Sequence, residues 1–140
     1  MLRQLLLILY VSAFVTSLGG CIGGIGFAYE DDLVGDYAVW ALDLTTQAAV
    51  VRKRKKSSSA SVIIKKMVFA YGWNNEFIIA KQHPQKRDNH WEIDSSVTNW
   101  FILQVHSGTV HGPMNEDEFN ETRIHLGVPP ELSFTKIIDP

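Results

Sequence analysis

Asp88, His90, Glu92 and Asp94 recur at every second residue, with Trp91 and Ile93 between them. On a strand, that alternation sends one imidazole and three carboxylates to one face, a donor set that suits a hard or borderline cation. Residues in line on such a face stand about 7 Å apart, which strains shared coordination, and any half-buried strand with a wet face produces the same alternation. His106 and His111 bracket Ser107-Gly108. Across a two-residue hairpin they would form a diagonal pair on one face, together with Gln104. Two imidazoles do not make a zinc site, which needs three or four ligands. Both groups are therefore read as polar surface, with no metal and no cofactor. His83, before Pro84, and His125, in the last turn of a predicted helix, read as structural. No HExxH, paired CxxC or EF-hand loop is present. Ser57, Ser58, Ser59, Ser95 and Ser96 sit in polar loops with no G-x-S-x-G elbow, so no catalytic residue is chosen.

The one cysteine carries a more specific chemistry. Residues 1–4 hold a single positive charge on Arg3, residues 5–15 are apolar apart from Ser12, and Leu18-Gly19-Gly20 leads into Cys21. This is the order of a secretory signal: a charged start, an apolar helix, then small residues for a peptidase pocket. Leu18-Gly19-Gly20-Cys21 resembles the bacterial lipobox, in which the thiol after the cleavage site is alkylated with diacylglycerol. Cys21 is thus the expected lipidation site. An uncleaved anchor is the competing reading, since residues 4–29 are uncharged and long enough to span a bilayer. Gly19, Gly20, Gly23, Gly24 and Gly26 argue against it, each costing a helix interior about 1 kcal/mol relative to alanine. Each buried acyl CH₂ contributes about 0.8 kcal/mol, so two or three chains hold a protein on a membrane. Ile22, where Asp would resemble a signal for inner-membrane retention, leans the location toward an outer membrane in an envelope that has two.

The whole chain has 140 residues, 13 Lys+Arg against 15 Asp+Glu, and a formal charge of −2. Loss of residues 1–20 removes Arg3 and makes the remainder one unit more negative. A dedicated nucleic-acid binder needs a basic excess, so no nucleic-acid partner is expected. The basic residues are concentrated in Arg52-Lys53-Arg54-Lys55-Lys56, followed by three serines. That run reads first as a solvated loop. Its functional reading is a finger that touches anionic head groups or a surface polymer, each basic residue contributing about 1 kcal/mol near an anionic leaflet.

The elements that must position these groups are mostly strands. Period-two alternation and β-branched or aromatic residues mark strands at 37–42, 46–51, 67–73, 76–82, 98–106 and 109–112, with a shorter candidate at 90–94. Asn74-Asn75 and Ser107-Gly108 are the expected two-residue turns. Phe69, Tyr71, Trp73, Phe77, Ile79, Phe101, Leu103 and Val105 form the predicted core. Asn115 with Glu118 gives a capping box, and Gly127 followed by Pro129-Pro130 stops the helix. Phe119, Thr122, Arg123 and Leu126 form its inner stripe. The last ten residues are expected to be extended, with Leu132, Phe134 and Ile137 available to bury. The fold class is α+β: a mainly antiparallel meander of six to seven strands with one C-terminal helix packed on the sheet. Residues 1–20 are the signal, 21–34 the lipidated cysteine and a Gly-rich tether, and 35–140 one globular domain.

Two segments carry a family resemblance: Phe69-Ala-Tyr-Gly-Trp-Asn-Asn-Glu-Phe-Ile-Ile-Ala-Lys-Gln-His-Pro84 and Ser107-Gly-Thr-Val-His-Gly-Pro-Met-Asn-Glu-Asp-Glu-Phe119. With the lipobox and the chain length, they make residues 36–132 similar to a family of short bacterial lipoproteins known only as a domain of unknown function. The basic run and residues 88–94 are its less typical parts. The resemblance implies an exported, lipid-anchored small domain and supplies no catalytic residues. The reading is a non-catalytic accessory or interaction module of the bacterial envelope. It is held by lipid on the cell membrane or outer membrane, facing periplasm or exterior, with another envelope protein or a surface polymer as partner. The alternatives are a small metal-dependent hydrolase using His90, Glu92 and Asp94 or the His106/His111 pair, and an immunity-type inhibitor of a toxin.

Overall fold

Strands that alternate along a chain with short connections pair with their sequence neighbours, and here they do so in two groups. The computed structural model describes residues 26–89 and 92–139. The first sheet has the order β1-β2-β3-β4: β1 (Tyr29–Asp32), β2 (Tyr37–Ala41), β3 (Ala49–Lys53) and β4 (Ala60–Ile64). The second has the order β8-β7-β6-β5-β9: β5 (Val68–Trp73), β6 (Phe77–Gln82), β7 (Asn99–Gln104), β8 (Val110–Met114) and the short β9 (Lys136–Ile137). Every pairing within them is antiparallel. The one α-helix among the described residues, α1 (Glu116–His125), packs on the second sheet. The α+β meander with a packed C-terminal helix is therefore the fold, built as two sheets rather than one.

The division falls at residues 65–67. Met67 takes φ 80°, a left-handed conformation that turns the chain out of the first sheet, and Val68 N–H donates to the Ala48 carbonyl as the second begins. Gln82 fastens this crossing, its amide nitrogen donating to the carbonyls of Lys65 and Lys66.

Three layers result. Tyr37, Val39 and Val50 of the first sheet meet Tyr71, Ile78 and Leu103 of the second in the main core. On the other side of the second sheet, Phe77, Ile79, Trp100 and Ile102 meet Phe119, Val128 and Leu132. The predicted core stripe thus splits across two faces. Phe77-Ile78-Ile79-Ala80 and Trp100-Phe101-Ile102-Leu103 are unbroken apolar runs because their sheet is covered on both sides. A bulge between Val68 and Ala70 sets Phe69 aside, so it stays half-buried, as do Trp73 and Val105.

Local chemistry explains the turns and corrects their register. Asn74 N–H donates to the Phe77 carbonyl, which places Asn75 and Glu76 at the tip. Neither takes positive φ; the Asn74 carboxamide instead accepts from the N–H groups of Glu76 and Phe77. Gln104 N–H donates to Thr109, so residues 105–108 form a longer turn closed by Gly108 at φ 72°. The helix is bounded as expected, with Asn115 and Glu118 exchanging side chain to backbone bonds and Gly127 at φ 70° after its end.

Four further expectations change. The described part of the 90–94 candidate, Glu92 to Asp94, forms one isolated bridge between Gln85 and Ile93 and no strand. The strand predicted from residue 46 begins at Ala49, after a single 3-10 turn at Thr45–Gln47. The 21–34 stretch expected as tether contains β1, which pairs with β2 from Tyr29↔Ala41 to Asp32↔Ala38. Finally, Ile137 is 64% exposed and Ile138 is buried in its place, because pairing of β9 with β5 turns Ile138 inward.

Candidate functional site

Two arrangements of side chains from distant parts of the chain stand out among the described residues. The first is a polar cluster that joins the two sheets. Tyr71, fully buried in β5, donates its hydroxyl hydrogen to Asp31 Oδ2 at 2.6 Å, and the Tyr29 hydroxyl lies 2.6 Å from the Tyr71 oxygen. Lys136 Nζ stands 3.7 Å from the same Asp31 oxygen. Burial first, then the bonds to Asp31 and Tyr29, hold the Tyr71 phenol far above its ordinary pKa, so it stays a neutral donor. The cluster ties β1 to the β5–β9 edge, a task for a fastener rather than a nucleophile.

The second arrangement is an open groove of about 1340 Å³ that follows β4 from Ser58 to Lys66. Its apolar part comes from the outer face of the first sheet, where Ala38, Ala49 and Val51 are buried beneath Trp40 and Ala60. Phe27 packs on Trp40 with ring centroids 4.7 Å apart. The Trp40 indole N–H is buried and has no acceptor among the described residues. Gln82, residues 84–87 and Gly112-Pro113 also line the groove. Lys65, Lys66, Lys86 and Arg87 line it as well, and no Asp or Glu does.

The residues singled out in the sequence do not converge where they are described. Cys21 and His90 lie outside the described residues. Asp88 is exposed. Glu92 accepts from Lys86 Nζ at 2.7 Å and from the Asn89 amide at 2.9 Å. The Lys86 bond and charge lower the Glu92 pKa, and Glu92 in turn raises that of Lys86, so both remain charged. Asp94 accepts from the Ser96 hydroxyl and N–H, and the hydroxyl bond is the main reason its pKa is lowered. These carboxylates fasten the loop between β6 and β7. His106 sits exposed in the 105–108 turn, while His111 pairs across from Ile102 and reaches only Gln104, at 3.5 Å. The longer turn breaks the diagonal pair expected for a two-residue hairpin. Among the described residues, no three His, Cys, Asp or Glu side chains are placed to hold a metal ion.

His83 and the first two residues of the basic run have structural partners. His83 Nδ1 lies 2.8 Å from the Val97 carbonyl, and its ring stacks on Phe69 at 4.1 Å. Lys53 pairs with Asp32 at 2.6 Å, and Arg52 lies over the Tyr37 ring. Arg54, Lys55 and Lys56 are exposed around the β3–β4 turn, where Lys56 takes φ 63°. Sequence reasoning missed the groove because its wall is β4, whose uncharged Ala-Ser-Val-Ile-Ile segment stands next to the basic and serine runs. The available signal was its β-branched content.

The family described as "Protein of unknown function (DUF3997)" matches residues 34–138, most of the chain and nearly all of the two sheets. The chain belongs to DUF3997. The match takes in β2 through β9 and the helix but begins after β1, so the Tyr71 end of the polar cluster falls within the DUF3997 segment and the Tyr29 end before it. No curated protein and no solved structure matches the chain.

Proposed function

We propose that this DUF3997 protein is a lipid-anchored interaction module of the bacterial envelope, attached through Cys21 and working by binding rather than by catalysis. The anchor reading rests on residues 1–21: a charged start, an apolar segment, and Leu18-Gly19-Gly20 before the cysteine. No helix among the described residues is long and apolar enough to cross a membrane. The observation that carries the binding reading is the groove beside β4, which is long, open, apolar along one wall and basic at its rim. Such a trough suits a contact spread over many residues, whereas a reacting centre gathers a few convergent groups in a closed pocket. The partner is another envelope protein or a surface polymer within reach of the tether.

Proximity labelling from membranes tests this reading, using the full chain fused to a labelling enzyme and its Cys21→Ser counterpart. The expected result is a defined set of envelope neighbours marked by the wild type and lost from the variant. Identical, unselective labelling by both would contradict it.

A further inference from the structure

A sheet edge exposes a row of backbone N–H and C=O groups, and proteins usually blunt such edges with charge, proline, bulges or a covering segment. Among the described strands, three of the four edges are blunted by charge, proline or shortness. β1 carries Glu30, Asp31 and Asp32 and is bolted to β5 and β9 through the tyrosine cluster. β8 contains Gly112-Pro113 and has a bulge opposite Trp100–Ile102. β9 is two residues long.

β4 differs. It is Ala-Ser-Val-Ile-Ile, uncharged and free of proline; its one irregularity is a bulge at Ile63, where Val50 faces Ile64 and Val51 faces Val62, and among the described strands it pairs only with β3. Val62 is 60% exposed although it is a β-branched residue in mid-strand. The groove runs along this same edge.

We infer that β4 is a docking edge for an extended acidic segment of another protein, which adds to the first sheet as a fifth strand and lies in the groove. This deepens the interaction-module reading and rests on it. Backbone pairing with β4 supplies affinity that is blind to side chains, and alternate side chains of the incoming strand meet the Trp40 and Val62 surface. The charge around the edge sets its sign. Arg54, Lys55 and Lys56 stand before β4, Lys65 and Lys66 follow it, and Arg87 faces it across the groove. The same charges disfavour a second copy as occupant. Antiparallel β4–β4 pairing would set Lys65 and Lys66 of one copy beside residues 54–56 of the other, and like charges across an interface are costly.

The test measures fluorescence anisotropy of labelled peptides against the full chain in detergent. The probes are a short alternating Val/Glu peptide, its Val/Lys counterpart, and the Val/Glu peptide N-methylated at every second amide. The Val/Glu peptide is expected to bind, the Val/Lys peptide to be weaker by about tenfold or more, and methylation to weaken binding by about tenfold. Lys65→Glu with Lys66→Glu, at two loop positions, should reverse the preference between Val/Glu and Val/Lys without changing the circular dichroism. Equal binding of the methylated peptide would overturn strand addition, and equal binding of the Val/Lys peptide would overturn the acidic partner. Concentration-dependent dimerisation lost on Val62→Lys would overturn it in favour of a second copy. Binding to phosphatidylglycerol vesicles that the Val/Glu peptide does not compete away would overturn it in favour of a lipid surface. Peptide failure with envelope neighbours still marked in proximity labelling removes this groove alone; loss of those neighbours removes the module reading itself.

Discussion

Two adjacent residues fasten the first sheet and the C-terminal segment to β5, and both can be tested individually. Tyr71 is buried between the sheets with its hydroxyl spent on Asp31. Removing that hydroxyl in Tyr71→Phe leaves the Asp31 carboxylate without its buried donor, a loss of about 1–3 kcal/mol in denaturant unfolding. The sign of the pH effect follows from a phenol whose pKa is raised on folding. Its contribution is complete below the unfolded phenol's pKa of about 10 and declines above it, because the unfolded chain releases the proton first. Thermal unfolding between pH 9 and 11 should therefore show a loss of stability that Tyr71→Phe reduces. Gly72 is the other position. A Cβ there would stand 1.9 Å from the Ser133 carbonyl oxygen, so the C-terminal segment can cross β5 only over a glycine. Gly72→Ala should lower the melting temperature and loosen residues 132–138, measured by hydrogen exchange. At the same scale, Glu92 and Asp94 are engaged with Lys86, Asn89 and Ser96. The purified full chain should thus carry no stoichiometric metal by elemental analysis; a tight ion lost on His90→Ala would contradict that.

At the scale of elements, local signals were legible and non-local ones were not. The helix is readable because Asn115, Glu118 and Gly127 act within a few residues of where they stand. Asn115→Ala removes one side of the capping box and should cost about 1 kcal/mol in unfolding free energy. The strands of the second sheet are readable from their apolar runs, but which face each residue takes depends on bulges at Val68–Ala70 and Trp100–Ile102 that no short window reveals. β1 escaped notice because Tyr-Glu-Asp-Asp has low strand propensity and is held by β2 and by the buried Tyr71 forty residues on. β9 is too short to leave a pattern. Period two was present in residues 88–94, yet the loop's own ion pair and turns hold its described part away from a ladder, and the four-residue turn 105–108 separates His106 from His111. The groove needs β4, the 84–87 loop and β8 together, and neither β4 nor their meeting was visible.

At the scale of the whole molecule, the described residues form a two-sheet domain with one helix layer in which β4 is the edge without charge or proline of its own, and the Gly-rich stretch before β1 joins it to a cysteine with the flanks of a lipidation signal. Phe27 packs on Trp40 at the groove, only six residues after Cys21, so the tether would enter the domain on the side that carries the proposed binding surface. On this account the protein offers a strand edge from a fixed point on a membrane, and its affinity for a partner gains from the confined volume that the tether allows. A variant released from the membrane but otherwise intact should keep its peptide binding and lose its cellular neighbours. The account stands first on the anchor, and metabolic labelling with a palmitate analogue tests it most directly: the wild type should be labelled and Cys21→Ser should not, whereas equal labelling of the two, or none in the wild type, would contradict it.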